Sequence, residues 1–87
     1  MEAITKRLRG GLKMKMTDEE RLLYLGDKLK YRRVELGMTR MDLDKKTGVS
    51  YQLIKAYEEG LCNPGFLNLD AICRGLDISL DELRIRE

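Results

Sequence analysis

Apolar residues recur along this 87-residue chain three or four positions apart, and the runs are broken at glycine, proline and hydroxyl residues. That is the period of helices that bury one face. Ile4, Leu8, Leu12 and Met16 form a first stripe, but Gly10 and Gly11 interrupt it and no cap precedes it, so residues 1–16 are expected to be a frayed or disordered arm. Thr17-Asp18-Glu19-Glu20 then reads as a capping box whose acids suit the positive end of a helix dipole. The first long helix starts there, with Leu22, Leu25, Leu29 and Leu36 marking its buried side as far as Gly37, which stands where a C-cap belongs. Asp27, Lys28 and Lys30 lie away from that line, and Arg33 breaks the apolar expectation.

The stretch MTRMDLDKKTGVSYQLIKAYE, residues 38–58, organises the rest. Thr39 has the side-chain oxygen of an N-cap and Asp42 is placed to answer it, so a helix is predicted from Arg40, with Leu43 and Thr47 inward. Gly48 supplies a position where a left-handed backbone costs little. Val49 packs under the bend, and Ser50 caps a further helix from Tyr51 to Glu58. This is a helix-turn-helix. Ile54 and Tyr57 turn inward in its second helix, leaving Tyr51, Gln52, Lys55 and Ala56 outward. An amide, a phenol and an ammonium around one small residue suit the donor and acceptor edges of a DNA major groove. Taken alone, two short helices about a glycine are more often a plain structural hairpin, and the flanks decide.

Residues 59–65 are dense in breakers and hold the only proline, Pro64, so a loop is predicted. A helix follows from near Phe66 with Leu67, Ala71, Ile72 and Leu76 inward, and Ser79-Leu80-Asp81-Glu82 is a capping box for a short final helix through Leu83.

Composition narrows the function classes. The length suits one small domain, divided here into the arm, 1–16, and the helical domain, 17–87. No apolar run approaches a membrane span or signal-peptide core, and a cytoplasmic address is expected. Without histidine, and with Cys62 and Cys73 outside any CxxC spacing, the usual zinc arrangements are missing; both thiols are read as free, Cys73 in the core and Cys62 in a loop. The net charge of +2 is uneven, because Lys6, Arg7, Arg9, Lys13 and Lys15 face only Glu2 in the arm, so the remainder is slightly acidic. The arm reads either as a solvated tail or as a basic strap in which Lys6, Arg7 and Arg9 touch phosphates. Met14 and Met16 are alternative starts.

From Leu25 to Leu83 the chain resembles the Cro and phage-repressor type (Xre-type) helix-turn-helix family. The resemblance rests on Arg33, Gly37-Met38-Thr39, Leu43, Gly48-Val49-Ser50, Ile54, Glu58-x-Gly60, Asn63-Pro64 and residues 76–83. It implies an all-α, five-helix, lambda-repressor-like DNA-binding domain whose third helix enters the major groove. It also implies that Arg40 contacts a phosphate, that Tyr51, Gln52, Lys55 and Ala56 face base edges, and that Thr39 and Ser50 belong to the same DNA-binding set. Arg33 and Glu58 are expected to form a partly buried ion pair between the first and third helices. The expected partner is double-stranded DNA at a palindromic operator, bound by a homodimer through Leu80, Leu83 and Ile85.

The chain departs from the family pattern in three places. Asp44 stands where alanine is usual and must reach solvent or accept hydrogen bonds, with the amino end of the third helix as candidate donor. Leu61 and Cys62 replace basic residues before the proline, and Glu59 adds an acid beside the expected DNA backbone. The leading expectation is a sequence-specific DNA-binding transcriptional regulator acting as a repressor. The rival is a protein-interaction module of the same fold that binds a repressor, a toxin or another regulator through residues such as Leu61 and Ile85. An enzyme is disfavoured, because no nucleophile with a base partner, phosphate loop or metal cluster is spelled out; no cofactor or small-molecule substrate is called for.

Overall fold

The computed structural model describes residues 15–85 and contains, in chain order, α1 (Asp18–Glu35), α2 (Arg40–Thr47), α3 (Tyr51–Glu58), α4 (Phe66–Leu76) and a single 3₁₀ turn (Leu80–Leu83). Lys6, Arg7 and Arg9 of the expected arm lie outside the described residues.

Each predicted cap is made. Thr17 and Glu20 exchange bonds of 2.8 and 3.1 Å across the start of α1, and Thr39 with Asp42 does the same for α2 at 2.8 and 3.0 Å. These pairs satisfy N–H groups that no helical carbonyl can reach. The Ser79 and Glu82 box also closes, but it starts one 3₁₀ turn and not an α-helix. Four residues between a cap and the extended Arg84 cannot assemble an α-helical ladder, so the tighter i to i+3 pattern wins. The described residues thus hold four α-helices, one fewer than expected, within the same all-α class.

Leu29, Leu43, Val49, Ile54, Tyr57, Ile72, Cys73, Leu76 and Leu83 form one core, in which α1 packs on α3 and α2 packs on both α3 and α4. Gly26 sits in the crossing of α1 and α3, where a Cβ would stand 2.5 Å from the carbonyl oxygens of both Tyr57 and Glu58. A residue that weakens a helix interior is therefore what lets these two helices touch. Arg32 joins the other side, its Nε donating to the Leu76 carbonyl at 2.8 Å and closing the C-terminal end of α4.

Two inward assignments and one outward assignment are corrected. Leu36 is exposed because α1 ends one residue earlier; the buried line continues instead through Gly26, Leu29 and Arg33. Leu67 is 79% exposed, since the inward stripe of α4 is Leu69, Ile72, Cys73 and Leu76, and Leu67 projects from the first turn on another side. Leu83 is buried at the base of the core and is not an exposed contact residue, whereas Leu80 and Ile85 remain half-buried.

Candidate nucleic-acid interface

The two helices of the motif are joined by a turn whose backbone groups are locally satisfied. Gly48 has φ 81° and donates to the Asp44 carbonyl at 2.7 Å; this left-handed backbone would strain any residue with a Cβ. Thr47 Oγ1 donates to the Leu43 carbonyl at 2.7 Å and accepts from the Val49 N–H at 3.1 Å. Val49 is then driven into the core, which sets the angle at which α3 leaves.

The start of α3 is held twice. Ser50 Oγ accepts from the Leu53 N–H at 3.2 Å, and Asp44 Oδ2 accepts from the Tyr51 N–H at 2.9 Å. The carboxylate that departs from the family pattern thus reaches the donor expected for it, and its charge meets the positive end of the α3 dipole. Asp44→Ala is expected to lower stability by about 0.5–2 kcal/mol, the usual loss for a cap, read as a lower thermal midpoint. An unchanged midpoint would mean that solvent serves the Tyr51 N–H equally well. At the start of α2 the bonds from Thr39, backbone first and side chain second, hold the Asp42 carboxyl below its ordinary pKa, with help from Lys45. A depressed folded pKa stabilises above the unfolded value, so this contribution is lost as pH falls through the folded one.

Tyr51, Gln52 and Lys55 are exposed on α3 while Ile54, Tyr57 and Glu58 are buried behind them. Ala56 is half-buried at the edge of the outward face, and Leu53, not singled out in the sequence, is exposed as well. Thr39 and Ser50 are exposed at the two helix starts, and Lys45 and Lys46 are exposed in the last turn of α2. Glu59 is exposed as the residue that caps α3, and Leu61 beyond it is 72% exposed.

Behind this face lies the expected ion pair, more deeply buried than the sequence implied. Arg33 Nε and Nη2 donate to Glu58 Oε2 and Oε1 at 2.6 and 3.0 Å, with side chains only 9% and 1% exposed. Arg33 Nη1 also donates to the Met38 carbonyl at 2.7 Å, tying the pair to the turn before α2. A third member was missed. Arg40 Nε donates to Glu58 Oε1 at 2.9 Å, so one buried carboxylate serves two guanidiniums. No spacing signals this contact, because Arg40 and Glu58 are brought together only by the crossing of α2 and α3.

Among the described residues no group of three or more His, Cys, Asp or Glu side chains could hold a metal ion, and no helix is long and apolar enough to cross a membrane. Cys62 and Cys73 are free thiols, and burial pushes the Cys73 thiol up in pKa.

Comparison with known proteins agrees with this geometry. The restriction-modification controller protein C.AhdI from Aeromonas hydrophila superposes with a TM-score of 0.69 at 25% identity, covering 72% of this chain and 96% of that one. The restriction-modification controller protein C.Esp1396I gives 0.66 at 28% identity, over 72% and 82% of the two chains. The clp gene regulator ClgR from C. glutamicum, at 24% identity, shares the fold with a TM-score of 0.68 over 72% and 81%. No curated protein matches the sequence. The Helix-turn-helix family matches residues 29–83, which span all of α2, α3 and α4 and end with the 3₁₀ turn. With most of its length inside that match, the chain belongs to the helix-turn-helix family of Cro and phage-repressor (Xre) type and is a DNA-binding transcriptional regulator.

Proposed function

We propose that this regulator is a sequence-specific repressor that reads a palindromic operator as a homodimer, each copy placing α3 in a major groove. The observation that carries the reading is the division of α3: Tyr51, Gln52 and Lys55 project to solvent from a helix whose opposite face is buried and whose first turn is held by Asp44 and Ser50. A rigid helix with separated amide, phenol and ammonium groups matches the patterned edges of base pairs. Gln52 can pair with an adenine, Lys55 with a guanine or a phosphate, and Ala56 allows close approach. Thr39, Arg40 and Ser50, at the starts of α2 and α3, address the backbone.

In this reading residues 17–87 are the folded domain and residues 1–16 an arm whose Lys6, Arg7 and Arg9 add phosphate contacts. The protein works in the cytoplasm, without cofactor or catalysis. A second copy pairs at the end where Leu80 and Ile85 line an open groove of about 730 Å³ with Leu22, Leu25 and Leu69. Pairing is needed because one short helix spans only a few base pairs, and a two-fold assembly repeats the contact on a matching half-site.

Selection of bound sequences from a random duplex pool, followed by affinity measurement on the selected site, tests this directly. Gln52→Ala is expected to weaken that site by about 1–3 kcal/mol, to relax preference at one position in each half-site, and to change binding to random duplex little. Failure of the parent to enrich any sequence would move the function to the rival reading, a protein-interaction module with Leu61 on its surface.

A further inference from the structure

The buried carboxylate of Glu58 has a role that its pairing with Arg33 does not use up. Arg33 is the partner that burial requires, since its guanidinium lies inside the domain and meets both carboxylate oxygens. Arg40 is different. It opens α2, its side chain is 30% exposed, and only its Nε is engaged, at 2.9 Å from Glu58 Oε1. Among the described residues its two terminal nitrogens make no hydrogen bond. One carboxylate shared by two guanidiniums leaves a net positive charge, and that charge sits at Arg40, the member nearest solvent.

From this geometry we infer that Glu58 is a positioning residue for DNA binding: by gripping Arg40 through Nε it holds the outer edge of the guanidinium toward a backbone phosphate. The inference rests on the reading of Arg40 as a backbone contact. A guanidinium can do both things at once because its donors are divided between Nε and the two terminal nitrogens in a fixed plane. An ammonium has its three donors on one nitrogen, so holding Glu58 keeps that nitrogen at the carboxylate and leaves no second, outer nitrogen in a fixed plane to meet a phosphate. Pinning the side chain beforehand also removes rotamer entropy that a free surface arginine would lose on contact. The gain is independent of base sequence, since a phosphate is the partner.

The test compares the parent with R40A, R40K, E58Q and the double variant E58Q/R40A, on a random duplex and on the selected operator. Fluorescence anisotropy is followed over a range of salt, at a temperature where circular dichroism shows each protein folded. R40A is expected to weaken both duplexes alike, by about tenfold at moderate salt, and to lower the salt slope by about one. R40K is expected to fall within about twofold of R40A despite keeping the charge. E58Q should weaken binding in the parent and produce no further loss once Arg40 is gone, which a purely structural role would not do.

Parental affinity in R40K would overturn the inference, since Arg40 would then act as a plain charge. An equal loss from E58Q in both backgrounds would also overturn it, because Glu58 would then serve the fold alone. Should E58Q fail to fold, R40K decides. A selected operator bound equally by the parent and R40A would remove Arg40 as a contact while leaving the function of α3 intact. No duplex binding by the parent would remove the function and the inference together.

Discussion

Glu58→Ala is expected to remove a large share of the domain's stability. Removing the carboxylate strands the buried guanidinium of Arg33 and leaves Arg40 facing it without the group that separated their charges. Breaking a buried pair by deleting one partner costs about 3–5 kcal/mol, against a total stability of about 5–15 kcal/mol for an ordinary domain. Arg33→Ala should be milder, since Glu58 keeps Arg40 at 2.9 Å and that edge of the cluster reaches water. Replacing both members, as Arg33→Met with Glu58→Leu, should cost much less than the sum of the single changes, because no deeply buried charge is left without a partner and Arg40, with its side chain 30% exposed, can turn to water. Denaturant midpoints followed by circular dichroism give all three values. A Glu58→Ala protein that melts like the parent would show that the pair contributes nothing.

The second large effect is expected from Gly26→Ala. Alanine favours a helix interior over glycine by about 1 kcal/mol, so an isolated α1 would be strengthened. In the folded protein the added Cβ would lie 2.5 Å from the Tyr57 and Glu58 carbonyl oxygens and 2.8 Å from the Glu58 carbonyl carbon. These are backbone atoms at the end of a packed helix and cannot swing aside. Either α3 moves off α1, carrying the Glu58 carboxylate from Arg33, or the helix end distorts. A net loss of about 3 kcal/mol, the upper end for overpacking a well-filled core, is expected in chemical denaturation. Gly75→Ala should cost less, because the Cβ there would meet side-chain atoms of Thr47 and Leu43, which can adjust. A reversed order of the two variants would mean that the contact of α1 with α3 is the softer one.

Much of the candidate site was legible because its determinants are short-range. Thr39 with Asp42, and Ser50 before Tyr51, announce helix starts through bonds that span three residues, and the observed α2 and α3 begin where those bonds require. Gly48 marks the turn for an equally local reason, its positive φ. Even Asp44 was readable in outline: a carboxylate seven residues before the first residue of α3 needed a donor, and the Tyr51 N–H is within its reach. The pairing of Arg33 with Glu58 was of another kind. It came from likeness to a family, because nothing in the spacing of two charges twenty-five positions apart says that they meet.

Where the reading of single helices failed, the cause was that periodicity gives a face but not how far a neighbour covers it. Leu36 stands past the end of α1, and Leu67, read into the inward face of α4, lies in its first turn off the stripe of Leu69, Ile72, Cys73 and Leu76 that the neighbouring helices cover. The capping box at Ser79 predicted where the last element starts and could not choose between an α-helix and a 3₁₀ turn, since the start is the same in both. By itself, then, the sequence determined the helix starts, the glycine turn and the outward residues Tyr51, Gln52 and Lys55, all set by bonds or periods within one or two helical turns, and by its likeness to a family over Leu25 to Leu83 it determined the membership of that family. Only the tertiary structure decided that Gly26 is the point of closest approach and that Arg40 shares the carboxylate of Glu58. Both depend on the distances between helices, which arise when side chains from remote parts of the chain fill one core.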